Sequence, residues 1–192
     1  MYQGARKGNF VEREEMDESN GWILGYFDGG CILGDKISYG CIFCRRSETI
    51  YTECGIEFVK NLENAGLQAT NTTAEYCGCY AALKWIEVNI RDNRVILFGD
   101  STLVLKQLTG KWQWKDKPYV RIMKECKTLI HRLPNVQLQF IKSERNKAHE
   151  LCELAMKEEK VRSKEDIKKW AKLQKRGNPM KERTLRERLG LN

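Results

Sequence analysis

The chain has 192 residues, of which 41% are hydrophobic and 31% are charged, which suits one well-packed domain with polar appendages. No apolar run approaches the roughly 18 residues of a membrane span, and the first residues lack the apolar segment of a secretion signal, so the sequence argues against membrane and secreted proteins. The net charge of +8 is uneven, because residues 157–192 hold 13 Lys/Arg against 6 Asp/Glu and the remainder is nearly neutral.

The eight cysteines have no regular framework spacing. This pattern predicts reduced thiols, most of them small core residues, and a cytoplasmic location. Cys41 and Cys44 form a CxxC pair, but they fall in a predicted strand, where an odd separation points the two thiols to opposite faces. A zinc site is therefore not expected there.

Composition divides the chain into three parts. Residues 1–20 are polar and lack periodicity, which predicts a flexible arm. Residues 21–157 carry the periodic apolar pattern of a folded domain. Residues 158–192 predict a basic, partly helical extension that suits a polyanionic partner, although a solvated helix that only aids solubility has the same pattern.

The predicted elements begin with three strands and continue with alternating helices and strands. The strands at 22–31, 37–45 and 49–59 predict an antiparallel meander, and a polar loop follows at 60–71. The later elements are a helix at 73–90, a strand at 95–98, helices at 102–108 and 119–133, a strand at 136–141 and a helix bearing Ala148, Leu151, Cys152 and Ala155. This order predicts an α/β fold with a five-stranded mixed sheet, a meander plus two parallel strands, flanked by helices.

Three carboxylates fall at informative places in these elements. Each one alone has an ordinary interpretation: Asp28 as a turn residue, Glu75 as part of a capping box with Thr72, and Asp100 as a helix N-cap. Taken together, however, they place one charge inside an apolar strand, one in the first turn of a helix and one at the carboxyl end of the most buried strand.

Carboxylates that a fold brings together repel one another, and such a cluster usually persists because it holds divalent cations. Two cations held by carboxylates are a known arrangement for breaking phosphodiester bonds. The sequence therefore predicts a metal site built from Asp28, Glu75 and Asp100.

Four motifs in this order resemble those of the ribonuclease H type 1 family, in its shorter archaeal and bacterial form. They are Tyr26-Phe27-Asp28-Gly29-Gly30, Asn71-Thr72-Thr73-Ala74-Glu75-Tyr76, Gly99-Asp100-Ser101 with Gln107-Leu108-Thr109-Gly110-Lys111-Trp112, and Arg145-Asn146-Lys147-Ala148-His149-Glu150-Leu151. The resemblance covers roughly residues 22–156 and implies a ribonuclease H-like fold.

The resemblance further implies an endoribonuclease that cleaves the RNA strand of RNA–DNA hybrids and leaves 5′-phosphate and 3′-hydroxyl ends. Two Mg²⁺ or Mn²⁺ ions would act together, one activating water and the other stabilising the leaving 3′ oxygen. Asp28, Glu75 and Asp100 would be the ligands, with Asp28 bridging both ions.

His149 occupies the place of the family's fourth acidic residue, which is the main departure from the pattern. Imidazole suits softer metals better than a carboxylate does, so we expect a weaker second metal and a preference for Mn²⁺. Glu150 follows directly but points about 100° away on a helix. The alternative is that His149 has no metal role. The other histidine, His131, is expected on the surface of a helix.

The family's nucleic-acid contacts carry over to three groups of residues. Backbone groups of Gly29, Gly30 and Cys31 would meet the RNA strand, Asn71 with Thr70 and Thr72 would contact the nucleic acid and its DNA phosphate, and Lys111 and Trp112 would meet phosphate and deoxyribose. The alternative for Trp112 and Trp114 is a core position. The basic extension would supply further affinity, and we expect a monomer that makes no membrane contact.

Two other functions remain open at this point. One is a nucleic-acid-binding protein on the same scaffold with weak or lost cleavage, for which His149 is the support. The other is a different nuclease of the wider superfamily, such as a junction resolvase or a DNA-directed enzyme.

Overall fold

The structure, a computed structural model, describes residues 21–32, 36–114 and 117–157. The predicted arm at 1–20, the turn at 33–35 and the extension at 158–192 lie outside the described residues. Within the described ranges, none of the helices combines the length and hydropathy of a membrane-spanning segment.

Five strands form one mixed sheet in the order β3-β2-β1-β4-β5. The antiparallel meander and the two parallel pairs, β1 with β4 and β4 with β5, confirm the predicted architecture. The strands are β1 (Ile23–Ile32), β2 (Lys36–Arg45), β3 (Glu48–Phe58), β4 (Val95–Gly99) and β5 (Val136–Phe140).

Helices cover the sheet and complete the chain order. They are α1 (Val59–Asn64), α2 (Asn71–Asn89), α3 (Thr102–Leu108), α4 (Val120–Arg132) and α5, which includes residues 149–157 and is preceded by a 3-10 turn at Ser143–Arg145. The predicted loop at 60–71 was wrong in part, since α1 lies there. Its Leu62 is buried, as are Ala65 and Leu67 just after the helix. Because these apolar residues are few and stand among polar ones, the hydrophobic pattern did not indicate a helix.

Helix α2 is the central helix of the core. It packs against β1 and β2 on one side and against α4 on the other. Because it is covered from both sides, apolar residues occur nearly all round it, as in a buried helix. Helix α4, by contrast, buries a single stripe made of Ile122, Met123, Cys126 and Leu129.

The cysteines and His131 lie where the pattern predicted. Six of the eight thiols are buried, Cys31 is half-buried and Cys54 is exposed, and all eight are free. His131 is exposed in the last turn of α4. The thiols thus pack mainly as core residues.

A candidate metal centre at the end of β1 and β4

The parallel pairing of β1 with β4 places two of the predicted carboxylates side by side. Tyr26 pairs with Phe98, and two residues further along the chain stand Asp28, inside β1, and Asp100, directly after β4. Glu75, near the start of α2, completes the group. One carboxylate oxygen from each of the three residues lies within 4.8 Å of the others, as the sequence predicted.

Two glycines allow α2 to approach β1 closely enough for this cluster. A Cβ on Gly29 would lie 2.1 Å from the carbonyl carbon of Ala74, and a Cβ on Gly78 would lie 2.3 Å from the carbonyl oxygen of Asp28. Both distances are far inside van der Waals contact, so only glycine fits at either position. The glycines therefore bring Glu75 beside Asp28.

The ordinary interpretations of the three carboxylates were wrong. Asp28 lies inside β1 and not in a turn. The N-cap of α2 is Thr70, whose hydroxyl accepts a hydrogen bond from the Thr73 amide at 3.1 Å, so Thr72 and Glu75 do not form a capping box. The N-cap of α3 is Ser101, not Asp100.

Two oxygen atoms of the cluster are buried without a partner in the part of the chain that the structure describes. They are Oε2 of Glu75 and Oδ1 of Asp100. A buried carboxylate oxygen without a hydrogen bond is costly, and hard cations such as Mg²⁺ and Mn²⁺ take oxygen ligands. The donor set and the partnerless oxygens fit a divalent cation.

Burial and the neighbouring negative charges both raise the pKa values of carboxylates in the cluster. Burial, followed by the charges of Asp28 and Asp100, raises the pKa of Glu75 to about 9. Burial and the charge of Asp100 also raise the pKa of Asp28, while hydrogen bonds from His149 and from the Gly29 amide act in the opposite direction. A cation would remove this repulsion, because its charge favours the ionised form of each carboxylate.

His149 closes the cluster on the side of α5. Its Nδ1 lies 2.8 Å from Oδ2 of Asp28, whose other oxygen accepts a hydrogen bond from the Gly29 amide at 2.8 Å. The hydrogen bond to Asp28 raises the pKa of His149. Glu150 is exposed and does not line the cleft around the carboxylates. The structure thus brings His149, and not Glu150, to Asp28 within the cleft.

Asn146 fixes the segment that carries His149. Its amide nitrogen donates to the Phe27 carbonyl oxygen at 2.9 Å, and its amide oxygen accepts from the Ala148 backbone at 3.2 Å. Asn146 is buried, and Ala148 packs with Tyr26 on the face of the sheet opposite the main core. The sequence placed Asn146 in the closing motif but gave no signal for its partner.

An open cleft of about 510 Å³ contains the cluster. Three predicted contact residues, Gly29, Gly30 and Cys31, line it together with the carboxylates and His149. The sequence pattern did not single out the remaining lining residues, which are Ser38, Ser143, Cys152, Glu153, Met156 and Lys157. Of these, Glu153 had a usable signal, because it lies four residues after His149 and so on the same face of a helix.

The other predicted contact residues lie outside the cleft lining. Asn71 and Thr72 begin α2, where the hydroxyl of Thr70 is already occupied by capping. The side chain of Trp112 is 45% exposed beside the Lys106 ammonium, which lies 4.3 Å from the ring centroid. Trp114 is 37% exposed, so the alternative of core tryptophans is wrong for both. Lys111 is exposed next to Trp112.

A sequence profile of a family described as reverse transcriptase-like matches residues 46–155. Among solved structures, the chain is similar to RNase H1 from the halophilic archaeon Halobacterium salinarum, with 25% identity, a TM-score of 0.61 and coverage of 72% of this chain and 99% of that one.

Two further solved structures have 22% identity to this chain. One is the N-terminal RNase H domain of a Mycobacterium tuberculosis protein, with a TM-score of 0.59 and coverage of 71% of this chain and 94% of that chain. The other is LC11-RNase H1 in complex with an RNA/DNA hybrid, with a TM-score of 0.60 and coverage of 71% and 97%. At this identity the likeness concerns the fold.

Proposed function

Since the chain belongs to the reverse transcriptase-like family and is a ribonuclease H-type enzyme, we propose that it hydrolyses the RNA strand of RNA–DNA hybrids with the help of divalent cations. Membership of this family, together with the similarity to RNase H1 structures, confirms the resemblance to ribonuclease H type 1 that the four motifs indicated. The single observation that carries the proposal is the convergence of Asp28, Glu75 and Asp100 within 4.8 Å at one end of the cleft.

The cations would be Mg²⁺ or Mn²⁺, held by Asp28, Glu75, Asp100 and His149. When bound, they would supply Lewis-acid activation of water and neutralise charge at the leaving 3′ oxygen, and the products would carry 5′-phosphate and 3′-hydroxyl ends. Asp28 contacts His149 and stands in one cluster with the other two carboxylates, so it would hold the cations together with them. His149 brings no negative charge, so we expect weaker binding of the second ion and a preference for Mn²⁺.

The hybrid would be recognised on both strands. Gly29, Gly30 and Cys31 line the cleft, and their backbone groups would meet the 2′-hydroxyl groups that distinguish RNA from DNA. Asn71, Thr70 and Thr72 at the start of α2 offer donors to a phosphate, since the backbone amides of a helix N-terminus point outward.

The exposed pair Lys111 and Trp112 would form a second contact on the DNA strand. Trp112 offers an aromatic face for a deoxyribose, and the lysines near it offer positive charge for phosphates. The basic residues of 158–192 would add affinity through phosphate neutralisation. We further propose that the enzyme acts as a monomer. We also propose that it works in a reducing compartment such as the cytoplasm, because its eight cysteines are free.

The proposal is tested by offering a labelled RNA–DNA hybrid, an RNA–RNA duplex and a DNA–DNA duplex to the purified chain in Mg²⁺ and, separately, in Mn²⁺. We expect cleavage of the RNA strand of the hybrid only, and loss of that cleavage in Asp100→Asn. Cleavage of either homoduplex at a comparable rate would reject hybrid specificity.

A second candidate function rests on His149 in the place of a carboxylate, which favours a binding protein with weak cleavage. Retention of the hybrid in a gel-shift experiment without cleavage in either metal would support it over the enzyme.

A further inference from the structure

The imidazole of His149 lies between two carboxylates. Its Nδ1 is 2.8 Å from Oδ2 of Asp28, and its Nε2 is 3.8 Å from Oε1 of Glu153, one helical turn further along α5. Asp28 belongs to the carboxylate cluster, and Glu153 lines the same cleft. Each ring nitrogen therefore faces a different carboxylate.

Glu153 is itself shared between two partners. Its second carboxylate oxygen accepts a hydrogen bond from the Lys157 ammonium at 3.2 Å, one further turn along α5. The side chain of Glu153 is 57% exposed and that of Lys157 is 72% exposed. Ion pairs this exposed add little to the stability of a fold, so stability gives little reason for the arrangement.

We propose that Glu153 is a positioning residue that orients the His149 imidazole for binding a divalent cation, an inference that rests on the proposed function. An imidazole that ligates a metal through one nitrogen usually donates a hydrogen bond from the other nitrogen to a carboxylate, which fixes the ring and raises its basicity. Glu153 stands at the nitrogen that faces away from the cluster. Their separation of 3.8 Å is an ion-pair distance, so the hydrogen bond that the proposal invokes requires the Glu153 carboxylate to move closer to Nε2.

Glu153 would act on the cation through the ring and not as a substitute charge. A carboxylate in place of His149 would add a full negative charge beside the cations, and neutral imidazole adds none. Glu153 stands one turn away on α5, where its effect on the cation passes through the ring that it orients. Glu150 has the same charge on the same helix but is exposed and lies outside the cleft lining, which makes it a matched control.

The test measures Mn²⁺ binding to the full chain without substrate, by counting free Mn²⁺ in electron paramagnetic resonance titrations. In Glu153→Ala we expect the affinity for Mn²⁺ to fall about tenfold, which is the low end of the effect of removing such a partner. Glu153→Gln keeps a hydrogen-bond acceptor without the charge, so its affinity for Mn²⁺ should lie between that of the wild type and that of Glu153→Ala. Glu150→Gln should bind as the wild type does.

A second pair of variants separates an effect through His149 from a direct one. Asp at position 149 does not need an oriented ring, so Glu153→Ala should have no effect on Mn²⁺ binding in a His149→Asp background. An equal loss in both backgrounds would overturn the proposal, because Glu153 would then act on the cation directly or by charge alone. No loss in the wild-type background would overturn it as well.

The outcome is separable from that of the proposed function. If the wild type binds Mn²⁺ but cleaves no hybrid, the proposed activity fails while the role of Glu153 can still be read from the titrations. Absence of Mn²⁺ binding in the wild type would reject both.

Discussion

The side-chain amide of Asn146 donates a hydrogen bond at 2.9 Å to the carbonyl oxygen of Phe27, 119 residues earlier in the chain. That carbonyl directly precedes Asp28, and Asn146 stands three residues before His149. One buried hydrogen bond therefore joins the strand that carries the central carboxylate to the segment that carries the histidine. The distance between Asp28 and His149 depends on it.

Replacing Asn146 by alanine should destabilise the fold and weaken catalysis together. The change leaves the buried Phe27 carbonyl without its partner, which costs about 1–3 kcal/mol in the free energy of unfolding. Urea denaturation measures this cost, and hybrid cleavage measures the loss of alignment. Asn135→Ala is the control, because its amide makes only an exposed contact of 3.5 Å. Equal costs for the two variants would contradict the role of Asn146.

Asp100→Asn should stabilise the metal-free chain while it removes the response to metal. The substitution relieves repulsion with Asp28 and Glu75, whose pKa values the charge of Asp100 raises. In the wild type, a cation at ten times its Kd should stabilise the fold by about 1.4 kcal/mol, and the variant should lack this gain. Thermal unfolding in EDTA and in Mn²⁺ measures both effects.

The control for Asp100→Asn is Asp92→Asn, an exposed acid outside the cluster, which should leave both melting temperatures unchanged. If Asp100→Asn still had a higher melting temperature in Mn²⁺ than in EDTA, the cation would bind elsewhere.

Much of the fold could be predicted from the sequence, because its signals are local. Each signal can be recognised within a few neighbouring residues. Examples are the alternation of strands and helices, the continuous apolar run of β4 and the glycine next to Asp28. The resemblance of the motifs then placed Asp28, Glu75 and Asp100 in one site, and the geometry brings them together.

What could not be predicted depends on contacts between distant segments. Local spacing suggested a capping box at Thr72 and an N-cap at Asp100, whereas the helices begin after Thr70 and Ser101. The hydroxyl groups of Thr70 and Ser101 accept the capping hydrogen bonds, and the sequence did not distinguish these two residues from their neighbours. The partner of Asn146 was equally out of reach, since Phe27 lies on β1, 119 residues earlier in the chain.

Stability without metal should fall as the pH rises, because of Glu75. The pKa of this residue is raised from 4.5 to about 9 in the fold, so between these values the folded chain binds a proton that the unfolded chain releases. The stabilising effect of the bound proton is fully present below about pH 4.5 and is lost as the pH rises toward 9. Glu75→Gln should flatten this dependence.

Thermal unfolding in EDTA across this pH range measures the effect, with Glu63→Gln, an exposed residue of α1, as the control. If the melting temperatures of the wild type and of Glu75→Gln changed in parallel with pH, the result would argue against a raised pKa for Glu75.

Two substitutions at His149 should change the rate of hybrid cleavage in opposite directions, Asp raising it in Mg²⁺ and Ala lowering it in Mn²⁺. His149→Asp adds a hard oxygen ligand and a negative charge, so we expect cleavage in Mg²⁺ to rise, by about tenfold for a full ligand effect. His149→Ala removes the ligand, so cleavage in Mn²⁺ should fall. The rate of hybrid cleavage against metal concentration measures both, and His131→Ala on the exposed end of α4 is the control. If Asp brings no gain and Ala no loss, His149 is not a ligand.

Deleting residues 159–192 should weaken substrate binding while leaving the chemical step intact. The segment is rich in Lys and Arg, which neutralise phosphates and release counterions, so its removal should raise KM for the hybrid and flatten the dependence of KM on salt, while kcat stays the same. A full-length variant with Lys168, Lys169, Lys172, Lys175 and Arg176 replaced by Gln separates charge from length. A raised KM in the deletion but not in this variant would mean that something other than charge provides the affinity, and an unchanged KM in both would reject a substrate-binding role for the extension.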